Sequence, residues 1–276
     1  MIKTKMPNFL IVGAAKSGTT SLHNYLNQHD QIFLPSINKL GFSVKEPHFL
    51  VKDIVEHRLH FGVWNWEEYL SLFKESDKEK CIGEASVFYL YYYEEAIRNI
   101  KFYLDKDVKI IIILRNPIDR AYSAFNHVSR SKKENMSFEE ALLSEENRLE
   151  NNKKLTPMVM YKSMGLYYNM VKAYKDNFKN VHIVLHESFK NDPDNVMKNI
   201  FNFLKIDDSI VINSNIKYNI GGKMWKNKIV KGFLKSDNLL KRVLFSIISI
   251  IFPRIFRKKL IDLSMKTAKP INKKTR

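Results

Sequence analysis

The stretch "NFLIVGAAKSGTTSLHNYL", Asn8 to Leu26, runs an unbroken apolar segment into a glycine and then into a helical pattern. Phe9 to Val12 are apolar, Gly13 ends the run, and Leu22, Tyr25 and Leu26 recur at helical spacing. The segment reads as strand, glycine loop, helix. Such a loop binds anions, because successive backbone N–H groups point into the turn and the helix dipole adds partial positive charge. Against the phosphate-loop pattern GxxxxGK[ST], "GAAKSGTT" keeps Gly13, Gly18 and the closing hydroxyl residue Thr20, but has Thr19 in the lysine position. The lysine lies inside the loop, at Lys16. In a nucleoside-triphosphate site the lysine after the second glycine reaches the β- and γ-phosphates, and the hydroxyl beside it holds magnesium. A lysine within the loop instead approaches a two-centre anion, such as a 5′-phosphate bearing one further group.

Two more apolar runs extend the pattern. "VKIIIIL", Val108 to Leu114, has the β-branched continuity of a parallel strand covered on both faces. It leads into "RNPIDRAYSAFNH", where Asn116-Pro117 reads as a turn and Ala121 to His127 as the start of a helix. "VHIVL", Val181 to Leu185, reads as a third strand. Beyond it, Asp192 offers an N-cap, Pro193 a first helical residue, and Val196, Ile200, Phe203 and Leu204 a buried stripe. Between the strands lie a helix opened by the capping box "SFEE", Ser137 to Glu140, and another across "GLYYNMVKAYKDNF". Strands separated by helices at this spacing predict an α/β fold: a P-loop-like, mostly parallel sheet with helices on both faces.

The 276 residues, 45% apolar with 9 Gly and 8 Pro, suit a single globular α/β unit. The lone Cys81 excludes an internal disulfide framework and a cysteine metal cluster, and reads as a small buried hydrophobe. The N-terminal apolar run leads straight into the glycine loop, so it reads as a strand rather than a signal peptide. The formal charge of +17 is uneven: residues 217–276 carry a net +15, leaving residues 1–216 nearly balanced. A division follows, with a catalytic domain over 1–216 and a basic helical segment over 217–276 that completes it or is appended to it. Within that segment, "VLFSIISIIF", Val243 to Phe252, is ten residues long, too short to cross a bilayer as a helix. Its flanking cations suit peripheral contact with an anionic membrane, burial in the domain, or burial in a partner. No nucleic-acid module is recognisable, and the aromatics of the segment are not interleaved as stacking platforms.

The loop "AAKSGTTSL" following a strand resembles the 5′-phosphosulfate loop of sulfotransferases, which bind 3′-phosphoadenosine 5′-phosphosulfate (PAPS). "LRNPIDRAYSAFNH" resembles that family's 3′-phosphate element, with Arg115 and Ser123 at the matching positions. "VKEPHFL", Val44 to Leu50, resembles the KExHFF signature of the carbohydrate (heparan-type) sulfotransferases and their bacterial relatives, in which the glutamate is the base. "GEASVFYL" from Gly83, "IFNFLKID" from Ile200 and "KYNIGG" from Lys217 extend the likeness. There are two departures: Ala85 stands where glycosaminoglycan enzymes carry a lysine, and Leu50 replaces the second phenylalanine.

The resemblance implies a sulfotransferase fold and in-line transfer of a sulfuryl group from PAPS to a hydroxyl of a carbohydrate or glycolipid, without metal. It places cofactor binding on Lys16, Ser17, Gly18, Thr19, Thr20, Ser21, Arg115 and Ser123. Glu46 becomes the base, Lys16 the group that stabilises the leaving 3′,5′-adenosine bisphosphate, and Lys45 and His48 groups that orient substrate or tune Glu46. The lone cysteine and the strand reading of the N-terminal run predict, independently of the resemblance, a cytoplasmic location, with membrane contact at the cytoplasmic face as one alternative for the basic segment, while oligomeric state stays open. A P-loop kinase or NTPase with a variant loop is the rival reading; it requires a lysine after Gly18, and none is there.

Overall fold

The computed structural model describes residues 5–35, 44–130 and 134–214, with three further pieces at 223–225, 265–267 and 271. Five strands form one sheet: β1 (Phe9–Gly13), β2 (Ile32–Phe33), β3 (Cys81–Ala85), β4 (Lys109–Leu114) and β5 (Val181–Leu185). Their order is β2-β3-β1-β4-β5, and every neighbouring pair is parallel. A separate antiparallel pair, β6 (Lys223–Trp225) with β7 (Met265–Thr267), lies in the basic segment. The apolar run from Val243 to Phe252 falls outside the described residues.

The central strands are buried on both sides because helices cover both faces. Leu10, Val12, Ile110 and Ile112 point to one face, under α3 (Tyr93–Tyr103), α4 (Pro117–Ser129) and α6 (Tyr167–Asn177). Phe9, Ile11, Ile111 and Ile113 point to the other, under α1 (Thr19–Leu26), α7 (His186–Asn191) and α8 (Pro193–Leu204). The period-2 alternation of strand side chains thus feeds two cores from one continuous apolar run. Two further helices, α2 (Trp66–Ser71) and α5 (Phe138–Leu143), flank the first face, and α5 opens with the expected Ser137–Glu140 capping box.

Two expectations are corrected. Asn116-Pro117 is the start of α4, not a turn before a later helix. The Asn116 side chain accepts from the amides of Ile118 and Asp119, and Pro117 takes the first helical position, where its missing N–H costs nothing. The buried stripe of α8 is Met197, Ile200, Phe201 and Leu204, with Val196 and Phe203 only partly covered. Two apolar stripes run side by side on that helix, and contact with the sheet selects one. Among the described residues, no helix is long and apolar enough to cross a membrane.

From β1 the chain turns to one side of the sheet and from β4 to the other, and α1 and α4 cover opposite faces. The carboxyl ends of β1 and β4 therefore flank a crevice, the usual ligand position in open parallel sheets.

Candidate active site

The loop after β1 enters that crevice. Lys16 has φ 68°, and Gly18, the N-cap of α1, has φ 103°. Gly18 carries no side chain to cap the helix, so the first-turn amides, including those of Thr19 and Thr20, meet no helical carbonyl. Neighbouring strand ends hold the loop from behind. Arg115, directly after β4, donates to the Lys16 carbonyl at 3.1 Å, and His186, directly after β5, contacts the Ser17 carbonyl through Nδ1 at 2.8 Å. Burial and the nearby Arg115 cation lower the His186 pKa, so the ring is neutral at pH 7 with its Nδ1 proton on that carbonyl. A trans peptide directs N–H opposite to C=O, so the Gly18 amide faces away from His186. The Ser17 amide closes the turn onto the Ala14 carbonyl at 3.2 Å. The φ of 103° is what requires glycine at Gly18, and an added methyl group would also crowd His186 Nδ1 at 3.1 Å.

Lys16 is half-buried, and its pKa is lowered to about 8, first by desolvation and then by the Arg130 cation, with Lys45 and Arg115 adding to the effect and Glu46 opposing it. Loops distant in sequence therefore converge on one lysine. Ser123 lies on α4 at i, i+4, i+7 spacing from His127 and Arg130, so the three share the helix face that reaches Lys16.

The "VKEPHFL" loop supplies the carboxylate that faces Lys16. Glu46 lies 2.5 Å from Lys45 Nζ and 3.6 Å from His48 Nε2. Burial raises its pKa, but Lys45, His48 and Lys16 together outweigh burial and leave it below the ordinary carboxylate range. Glu46 is therefore ionised at neutral pH. Burial holds the His48 pKa at about 4, so the ring is neutral beside it; its Nδ1 is enclosed without a hydrogen bond. The loop is pinned from several sides: the His48 amide donates to Ser86 Oγ at 3.0 Å, the Leu50 amide to Tyr89 Oη at 3.2 Å, and the Val63 amide to the Pro47 carbonyl at 2.8 Å.

A profile of the sulfotransferase domain matches residues 6–239. The chain belongs to the sulfotransferase family. The crystal structure of a sulfotransferase from Alicyclobacillus acidocaldarius superposes on this family member with a TM-score of 0.67 and 34% identity, covering 78% of this chain and 87% of that one. A membrane-associated sulfotransferase of Dictyostelium discoideum is 33% identical over 132 residues, 48% of this chain and 25% of that protein. Human carbohydrate sulfotransferase 15 is 28% identical over 174 residues, 49% of this chain and 29% of its own length. The chain spans less than a third of the length of these two curated relatives.

In this family member, Glu46 and Arg115 lie within electrostatic reach of Lys16 and His48 lies beside Glu46, while Thr19, in the usual lysine position, is buried at the start of α1. Sequence reasoning missed Arg130, His186 and Tyr167. Tyr167 donates to the Arg115 carbonyl at 3.0 Å and neighbours Ser17. Two signals were available: His186 follows a parallel strand directly, and Arg130 repeats the helical spacing of Ser123. Arg120, in the same motif, does not face the site. It is wholly buried and donates to the Met160 and Tyr161 carbonyls, anchoring the turn before α6.

Proposed function

We propose that the chain transfers a sulfuryl group from PAPS to a hydroxyl of a carbohydrate or glycolipid, with Glu46 as general base. One observation carries this reading: a lysine in a glycine loop shares one crevice with an arginine at the next strand end and a carboxylate, both within its electrostatic reach. The residues fit the nucleotide. Ser17 Oγ is buried without a hydrogen bond of good geometry, Gly18 leaves the cradle bare, and Lys16, Lys45, Arg115 and Arg130 outnumber Glu46. The names of relatives point to the same acceptor class: human carbohydrate sulfotransferase 15 and mouse heparan sulfate glucosamine 3-O-sulfotransferase 3B1.

PAPS supplies the sulfuryl group; binding, aiming and proton handling fall to the chain. Lys16 with the Gly18, Thr19 and Thr20 amides would hold the 5′ end, and Arg115 with Ser123 the 3′-phosphate. Arg115 spends one of its five donors on the Lys16 carbonyl and keeps its fork geometry for phosphate. Glu46 takes the acceptor's proton as the acceptor oxygen bonds to sulfur. Lys16 stabilises the charge that returns to the 5′-phosphate oxygen as its bond to sulfur breaks. No divalent cation enters this scheme. The basic segment over 217–276 suits contact with an anionic membrane, in keeping with the membrane-associated relative in Dictyostelium.

Labelled PAPS offered to a panel of glycans and glycolipids tests the reading. Glu46→Gln should lower turnover by roughly 10²- to 10⁴-fold and leave affinity for 3′,5′-adenosine bisphosphate nearly unchanged. Wild-type turnover in that variant would remove Glu46 from the role of base.

A further inference from the structure

Glu84 in β3 is 1% exposed. Three hydroxyls surround its carboxyl: Ser86 Oγ donates to Oε2 at 2.9 Å, Tyr69 Oη to Oε1 at 3.3 Å, and Tyr89 Oη lies beside it. Each of these residues also holds one of three consecutive residues in the loop that carries Glu46. Ser86 Oγ accepts the His48 amide, the Tyr69 ring stacks on Phe49 at 4.6 Å, and Tyr89 Oη accepts the Leu50 amide. The Ser86 link is a relay in which a hydroxyl receives a backbone proton and gives its own to the carboxylate, and Tyr89, beside the same carboxylate, is placed to act likewise. Such a hydroxyl is polarised, and both of its bonds gain strength in a buried setting.

The loop needs anchors of this kind. Glu46 and His48 have φ of 71° and 57°, and His48 caps the single 3-10 turn Phe49–Val51, whose first amides have no partner within the turn and must find outside ones. A buried carboxylate is a costly way to provide them, and an apolar side chain would favour stability more.

We propose that Glu84 is a positioning residue for sulfuryl transfer: through Ser86, Tyr69 and Tyr89 its carboxylate fixes His48, Phe49 and Leu50 and so aims Glu46, and its protonation loosens that aim. The proposal rests on the sulfotransferase reading. Facing Glu84 are Tyr69 from α2, Ser86 and Tyr89 from the segment after β3, Tyr174 from α6 and, at longer range, the Lys45 ammonium. Burial outweighs the hydrogen bonds from these hydroxyls and the pull of Lys45, and pushes the Glu84 pKa up to about 7. Once protonated, one carboxyl oxygen becomes a donor that confronts hydroxyls already donating to it, so one relay must invert or break. Glu46 and His48 titrate well below that range, which leaves Glu84 to set an acid limb near neutrality.

The test has two arms on the full chain. In the first, the pH profile of kcat is measured for wild type and Glu84→Gln with PAPS as donor. The expected result is an acid limb near pH 7 in wild type that is absent from the variant, about tenfold lower kcat at pH 8, and unchanged affinity for 3′,5′-adenosine bisphosphate. The nucleotide's own phosphate titrates near pH 6, but both proteins share that step. Melting at pH 8 should not fall in Glu84→Gln, because a raised folded pKa means the charged form costs stability above the unfolded value.

The second arm needs no turnover: amide hydrogen exchange of His48 and Leu50 by NMR at pH 8. Ser86→Ala, which keeps the charge, should deprotect His48 about tenfold and leave Leu50 protected, whereas Glu84→Gln should deprotect both. A wild type that transfers nothing from PAPS would sink the sulfotransferase reading and leave the relay to the exchange data. Unchanged protection in both variants, or a limb near pH 7 that survives in Glu84→Gln, overturns the role of Glu84.

Discussion

Lys16, Glu46 and His48 are three of the four non-glycine residues with left-handed backbone among the described residues, at φ 68°, 71° and 57°. Such conformations cost on the order of 1–3 kcal/mol each and persist where surrounding bonds over-determine them. Those bonds come from Arg115 and His186 behind the Lys16 loop and from Ser86 and Tyr89 behind His48 and Leu50. Residue types and spacings announced the first three residues in the sequence, but nothing there announced their backbone. Arg130 and Glu84 were illegible for a related reason, because their roles arise only when distant loops meet. Lys16 yields a pH prediction. Desolvation, Arg130 and its other cationic neighbours hold it near 8, and phosphate groups beside it would raise that value. Affinity for 3′,5′-adenosine bisphosphate should therefore be full below pH 8 and fall as pH rises through it, with net proton uptake on binding between the two pKa values. Titration calorimetry in buffers of different ionisation enthalpy measures that uptake, and its absence at pH 8.5 would argue that Lys16 does not meet the phosphates.

The strands β1, β4 and β5 and the caps at Ser137 and Asp192 could be read from apolar runs and from Ser-x-x-Glu and Asp-Pro signals. Strand β3, "CIGEA", could not, because it carries the buried Glu84 and a glycine whose added methyl would strike the Phe9 ring at 2.4 Å. Two-residue β2 offers no period to detect. The stripe of α8 was misassigned because Val196 and Met197, like Phe201 and Phe203, are equally apolar, and only the sheet decides between them. At the head of α4, the Asn116 cap fixes both the helix start and the exit of Arg115 from β4. Asn116→Ala should lower stability by about 1 kcal/mol, the usual value for losing an N-cap. Urea unfolding checks this, and a loss near zero would mean that Pro117 alone sets the helix start.

At the scale of the molecule, one topological fact organises the site: β1 and β4 are neighbours whose following helices cover opposite faces, so the Lys16 loop and Arg115 enter the same crevice. The sequence carried the strands and the two loops. Their adjacency in the sheet, with β3 on the far side of β1, became visible only in the fold. The charge is also organised at this scale, with a cation-rich crevice in a nearly balanced domain and a net +15 over residues 217–276. Both suit anionic ligands, and the proposed reading assigns the nucleotide to the crevice, where Lys16 and Arg115 meet. The most direct test is titration of 3′,5′-adenosine bisphosphate against 5′-AMP, with EDTA present, using wild type and Arg115→Ala. The account predicts chelator-resistant binding with a clear preference for the bisphosphate, and a loss of roughly 10- to 100-fold in Arg115→Ala that removes most of that preference. Equal affinity for the two nucleotides, or binding only with magnesium, would contradict it.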